Sequence, residues 1–117
     1  MKTVLVVDDS NVMRRIMKNI VTNNGYDVVG EAVNGRLGVE KYQELAPDIV
    51  MMDIVMDEMN GLEALRCILE LDPDASVIMV SSMGQEVIVR DAIMLGAKNF
   101  LLKPYTEQQV IDALRKL

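Results

Sequence analysis

The sequence predicts an α/β fold with a doubly wound, five-stranded parallel sheet. Three observations carry that prediction. Five short apolar runs recur along the 117 residues, at Thr3–Val7, Val28–Val33, Ile49–Met52, Ser76–Val80 and Asn99–Leu102. Most of them lack polar alternation, the mark of strands buried on both faces. Between them lie stretches of helical spacing, and strands alternating with helices imply right-handed crossovers around a covered parallel sheet.

Taken in order, Thr3 to Val7 is apolar and rich in β-branched residues, and it stops at Asp8-Asp9-Ser10-Asn11. Met13, Ile16, Met17 and Ile20 then recur at helical spacing, which sets Arg14, Arg15 and Lys18 on the other face. Asn23-Asn24-Gly25 ends that helix, with Gly25 supplying a left-handed cap. The run to Val33 is interrupted by Gly30 and Glu31 and reads as an edge strand. Asn34-Gly35 turns the chain into a helix over Leu37–Leu45, with Leu37, Lys41, Tyr42 and Leu45 in register, and Ala46-Pro47 stops it.

Ile49-Val50-Met51-Met52 is the most uniformly apolar strand, and it ends abruptly at Asp53. An acidic, turn-like segment with Asp57, Glu58, Asn60 and Gly61 follows. Leu62, Leu65 and Leu69 make the stripe of a third helix, broken at Asp72-Pro73-Asp74. The strand Ser76–Val80 ends at Ser81-Ser82-Met83-Gly84. Gln85 to Leu95 is helical, with Ile88, Ala92 and Leu95 inward, Val87 and Met94 outward, and Gly96 at its end. Asn99–Leu102 runs into Lys103-Pro104, and Thr106 with Gln109 forms a capping box for a last helix that reaches Leu117.

Composition narrows the chemistry. With 50% hydrophobic and 26% charged residues, residues 1–117 read as a single globular domain. No apolar run approaches the roughly 20 residues of a membrane span, and Val4–Val7 is too short for a secretion signal core of about 7–15 residues. The expectation is a cytoplasmic protein with no membrane contact. A net charge of −6 argues against direct nucleic-acid binding. The chain has no histidine, which excludes a histidine base, a histidine metal ligand and a Ser-His-Asp triad. A lone Cys67 excludes an internal disulfide and thiolate zinc sites. A metal bound here must take oxygen ligands, as magnesium, manganese or calcium do.

A parallel sheet gathers all its strand C-termini on one edge, where open α/β sheets keep their chemistry. Asp8 and Asp9 follow strand one, Asp53 strand three, Ser81 and Ser82 strand four, and Lys103 strand five. Asp9 or Ser10 could each serve only as a helix cap, Ser81 as a turn residue and Lys103 as a surface lysine. Those separate roles give no reason for three carboxylates, a hydroxyl and an ammonium to share one edge. Grouped carboxylates repel one another, and a hard divalent cation removes that penalty. A carboxylate beside Mg²⁺ and an ammonium is placed to attack phosphorus, giving an aspartyl phosphate on Asp53.

Asp8-Asp9, Asp53, Ser81 and Lys103-Pro104, in this order on a five-fold β-α chain, resemble the receiver domain of bacterial two-component response regulators. Single-domain chemotaxis regulators are the nearest kind, and the resemblance spans the whole chain. It implies a flavodoxin-like strand order 2-1-3-4-5. It implies that Asp53 accepts a phosphoryl group from the phosphohistidine of a histidine kinase, in a self-catalysed reaction, with autodephosphorylation, rather than as a conventional enzyme. Asp9 would ligate Mg²⁺ directly, Asp8 through water, and Val55 through its backbone carbonyl, with Mn²⁺ or Ca²⁺ as alternatives. Lys103 would contact the phosphoryl group, and the Lys103-Pro104 bond would be cis. Ser81 and Phe100 match the hydroxyl and aromatic switch pair. A downstream target would dock on the 85–105 face of a monomer; if Leu117 ends the full chain, the signal must leave by docking onto another protein.

One position departs from the family pattern. A proline is usual four residues after the phosphoacceptor, and here that residue is Asp57. Asp57 reads either as an exposed turn acid or as a further carboxylate near the metal, which would favour calcium. Three competing readings are weaker. A haloacid-dehalogenase-type phosphatase needs an acid two residues after the nucleophile, where Val55 stands. A flavodoxin-type FMN binder needs a hydroxyl- and glycine-rich loop after strand one, where Asp8-Asp9 would repel phosphate. A degenerate receiver that acts by binding alone would have no use for an intact Asp53 and Lys103.

Overall fold

The structure, a computed structural model, describes residues 1–117. Its elements are β1 (Thr3–Val7), α1 (Asn11–Asn23), β2 (Asp27–Ala32), α2 (Gly35–Leu45), β3 (Ile49–Asp53), α3 (Gly61–Leu71), β4 (Ser76–Ser81), α4 (Glu86–Leu95), β5 (Asn99–Leu102) and α5 (Glu107–Arg115). The five strands form one sheet in the order β2-β1-β3-β4-β5, parallel throughout. The doubly wound α/β architecture and the edge position of β2 therefore stand as expected. No helix is long and apolar enough to cross a membrane.

The uniformly apolar strands conceal a period of two. Leu5, Val7, Val50, Met52, Val77 and Met79 face one core, which includes Tyr42, Ala64, Leu65, Ile68 and Ala92 of α2, α3 and α4. Val4, Val6, Ile49, Met51, Ile78 and Val80 face the other, shared with Met17, Val21, Val110, Ala113 and Leu114 of α1 and α5. Alternate side chains point to opposite faces of a strand, so a sheet covered on both sides needs apolar residues at every position. β3 and β4 each run one residue beyond their apolar stretch. Asp53 still pairs with Val80, and Ser81 with Leu102. These two polar side chains are therefore carried by strand backbone and not by loop.

Side-chain caps start four of the five helices. Ser10 accepts from Met13 N, Asn34 from Leu37 N, Asn60 from Glu63 N, and Thr106 from Gln109 N in a capping box that Gln109 closes. Asn34 is thus the cap of a helix that begins at Gly35, two residues before the expected start. Gln85, at the head of α4, makes no such bond.

Two helical phases differ from expectation. In α1 the buried positions are Arg14, Met17 and Val21, while Ile16 is 41% exposed. Arg14 is therefore an inward residue, and its charged head has partners at the ends of β1 and β2. In α3 the deepest residues are Ala64, Leu65 and Ile68, with Leu62 and Leu69 half-buried beside them. β2 closes at Ala32, which leaves Val33 outside the ladder and exposed. In α4, Ala92 is buried and Ile88 and Leu95 pack on the core, whereas Val87 and Met94 are exposed, as expected.

Candidate functional site

Four strand ends bring the site together. Asp8 follows β1 directly, and its backbone N–H donates to Ala32 O at 3.1 Å, which keeps it in line with the ladder. Its Oδ1 accepts from Ser10 N at 2.9 Å and its Oδ2 from Lys103 Nζ at 3.1 Å. Asp53 closes β3, with Oδ1 accepting from Ile54 N at 2.9 Å and Oδ2 lying 3.4 Å from Lys103 Nζ. Asp9 is exposed beside them, and one carboxylate oxygen from each of Asp8, Asp9 and Asp53 lies within 4.8 Å of the others. Lys103 is held from β4, donating its backbone N–H to Ser81 O at 2.8 Å, and the Lys103-Pro104 bond is cis. Ser81 is fully buried, and its Oγ accepts from Met83 N at 3.0 Å.

Three carboxylates against one ammonium leave this half-buried site negative. Burial pushes the Asp53 carboxyl up to about 6, with Lys103 pulling it down and Asp8 pushing it further up. Burial, then the charges of Asp8 and Asp53, pushes the Tyr105 phenol up to about 12. A hard dication suits this oxygen-only donor set and relieves the repulsion. In its absence, an ionised Asp53 costs the fold stability. Its pKa is higher folded than unfolded, so the penalty is full above about pH 6 and vanishes below about pH 4. Asp53→Asn is expected to raise metal-free unfolding stability at pH 8, by about 3 kcal/mol at most for a shift of this size. That gain should shrink to nothing near pH 4 in urea titrations without divalent ions.

The loop after β3 is fixed at three points. Gly61 N donates to Ile54 O at 2.7 Å and closes its base. Gly35 N donates to Met59 O at 3.0 Å, and Arg36 Nε to Glu58 Oε2 at 2.9 Å, tying its tip to the start of α2. Met59 N donates to Asp57 O at 2.8 Å, a tight turn that puts Glu58 at φ 66°. The Val55 side chain is exposed, and Asp57 is exposed and outside the three-carboxylate group. Phe100 sits half-buried on β5, opposite Met79, packed against the core on the α4 side.

The largest surface concavity, about 630 Å³, lies elsewhere, at the amino edge of the sheet, beside Tyr42, Asp48 and Asp72. Two of its acids, Asp48 and Asp72, already serve the fold. Tyr42 Oη donates to Asp72 at 2.8 Å, and Thr3 N to Asp48 at 2.8 Å. The three-carboxylate group lies at the opposite, carboxyl edge of the sheet.

Three features of the site were not foreseen: Arg14 behind Asp8, Tyr105 beside Asp8 and Asp53, and the clamp from Gly35 and Arg36 onto the β3–α3 loop. A signal existed for the first. Glu31 breaks an otherwise apolar strand, and a charge in such a place needs a partner.

A model of the response regulator receiver domain matches residues 4–115. The chain is 53% identical over 116 residues to the chemotaxis protein CheY of Thermotoga maritima, covering 99% of this chain and 97% of that protein. It is 49% identical over 113 residues to CheY of Bacillus subtilis, covering 97% and 94%. Among solved structures, a chain of the CheX-CheY-BeF3-Mg²⁺ complex from Borrelia burgdorferi matches with a TM-score of 0.96 at 36% identity, over 98% of this chain and 87% of that one. Matched from end to end by curated chemotaxis regulators and by their fold, the chain belongs to the response regulator receiver domain family.

Proposed function

We propose that the protein is a phosphorylation switch of the chemotaxis type that accepts a phosphoryl group on Asp53 from a histidine kinase. The observation that carries this reading is Asp53 itself: a buried carboxylate at the end of β3, grouped with Asp8 and Asp9 and 3.4 Å from the Lys103 ammonium. In the transfer, an Asp53 carboxylate oxygen forms the new O–P bond. The P–N bond of the phosphohistidine breaks, and its electron pair stays on the imidazole nitrogen. Lys103 holds negative charge on the phosphoryl oxygens. Asp9, Asp53 and the Val55 carbonyl, with Asp8 through water, would hold Mg²⁺, or Mn²⁺ or Ca²⁺ with the same preference for oxygen, and the ion would supply the remaining positive charge. Water later cleaves the acyl phosphate and returns the carboxylate, a self-catalysed loss and not turnover of a substrate.

The output follows from Ser81. Its hydroxyl oxygen accepts from Met83 N, and its O–H is the donor that a phosphoryl oxygen on Asp53 would draw towards itself. Drawing Ser81 towards phosphate opens the space into which Phe100 turns. The 85–105 face then changes: α4 lacks a side-chain cap, and Val87, Ile93, Met94 and Leu102 are exposed there. A target protein docks on that face. The protein acts as a cytoplasmic monomer and binds neither nucleic acid nor membrane.

The test is incubation with acetyl phosphate, with and without Mg²⁺, read by intact mass. One phosphoryl group is expected on the wild type with Mg²⁺, and none without metal or on Asp53→Asn. A wild type that stays unlabelled under every divalent ion overturns the reading.

A further inference from the structure

We propose that Arg14 positions the β1–α1 turn for cation binding, by holding the backbone carbonyl of Asp8 while Glu31 neutralises its charge. The inference rests on the metal site proposed above. Arg14 is only 8% exposed, a rare state for an unpaired arginine. Each edge of its guanidinium has an assigned partner. Nη1 donates to Asp8 O at 2.7 Å, Nε to Glu31 Oε1 at 2.8 Å, and Nη2 to Asn11 Oδ1. Lys18 Nζ donates to the other Glu31 oxygen at 2.7 Å, which fixes Glu31 in turn.

The consequence falls on Asp8. Its Oδ1 is held by Ser10 N, its Oδ2 by Lys103, and its carbonyl by Arg14, so all three oxygens have fixed donors. The turn from Asp8 to Asn11, which carries Asp9, is thereby braced from behind at both ends. Only a planar fork reaches a carbonyl, a carboxylate and an amide oxygen at once, and a lysine ammonium on the same stem does not. Arg14 also acts against the site, because its positive charge repels a cation. Glu31 offsets that cost. Positioning and charge therefore predict opposite effects when Arg14 is replaced, which makes them separable.

The experiment is a calorimetric Mg²⁺ titration of wild type, Arg14→Lys, Arg14→Met and Glu31→Gln, below the unfolding transition of each. Both Arg14 variants are expected to bind Mg²⁺ about tenfold more weakly, the usual size for loss of a group that orients metal ligands. Glu31→Gln should weaken binding by a smaller factor, and it carries the test if the Arg14 variants do not fold. Unchanged Mg²⁺ affinity in the Arg14 and Glu31 variants overturns the inference. So does tighter binding in Arg14→Met with Arg14→Lys unchanged, the pattern of charge alone. A wild type without a saturable Mg²⁺ isotherm overturns the site reading instead. In that case, faster exchange of the Ser10 amide in metal-free Arg14→Met supports the bracing role, and unchanged exchange overturns it.

Discussion

Lys103→Met is expected to slow labelling of Asp53 by acetyl phosphate about 10²–10³-fold at saturating Mg²⁺, the cost of losing one fixed donor to developing charge. The same variant should bind Mg²⁺ more tightly at pH 8. The Lys103 ammonium lies 3.1 Å from Asp8 Oδ2 and 3.4 Å from Asp53 Oδ2, so it occupies the carboxylates that a cation would use. Removing it has two effects on Asp53. A competitor for the carboxylate is gone, which favours metal. The influence that pulls the Asp53 pKa down is also gone, so its proton is held to a higher pH than the present value of about 6. Protons compete with metal, so the second effect opposes the first near neutrality and fades as the pH rises. Tighter binding should therefore be clear at pH 8 and diminish towards pH 6. Calorimetry over that range, paired with labelling rates, measures both. A merely destabilised protein would lose affinity and rate together, whereas a charge-balancing lysine yields opposite signs.

How far the sequence disclosed this arrangement depends on the kind of contact. Asp8, Asp53, Ser81 and Lys103 were legible because topology does the work. In a parallel sheet, whatever ends a strand arrives at the carboxyl edge, and the apolar runs state where strands end. The edge position of β2 was legible in its Gly30 and Glu31, whereas the order of the other strands was legible through the resemblance alone, because β1, β3 and β4 differ little as strings of apolar residues. The two cores were hidden for a related reason. Leu5 and Val6 face opposite layers, yet both are simply hydrophobic in sequence. Arg14 was misread for the opposite reason. A charge on a helix is usually solvated, and its partner Glu31 lies on another element, where no local periodicity reaches it. The clamp on the β3–α3 loop was invisible because it runs from the Gly35 backbone N–H to the Met59 carbonyl, groups that every residue possesses. Asp57 drew attention as the one departure from the pattern, yet it sits exposed outside the carboxylate group.

Gly61→Ala should couple fold and site more tightly than any surface change. Gly61 is buried as the first residue of α3, directly behind the end of β3. A Cβ there would overlap the Asp53 carbonyl oxygen and come within 2.8 Å of Ile54 Cα. Both obstacles are backbone, so no rotamer change relieves the clash. Either α3 shifts away, breaking the 2.7 Å bond from Gly61 N to Ile54 O, or the end of β3 shifts with Asp53 on it. Overpacking a core usually costs about 1–3 kcal/mol, and a backbone overlap belongs at or above the top of that range. Gly25→Ala offers a contrast. Gly25 has φ 88° and nothing within 4 Å of its added Cβ, so the cost there is conformational alone, about 1–2 kcal/mol. Urea unfolding of the two variants should rank them in that order. The further difference is functional. Gly25 follows α1 at the amino edge and should leave the Mg²⁺ affinity of the folded protein unchanged, whereas Gly61→Ala moves either Asp53 or the loop that carries Val55. Folded Gly61→Ala should therefore bind Mg²⁺ more weakly and label more slowly at the same occupancy. Equal affinity and rate in folded Gly61→Ala would mean that α3 yields and β3 does not, which would place the rigidity of the site in the sheet alone.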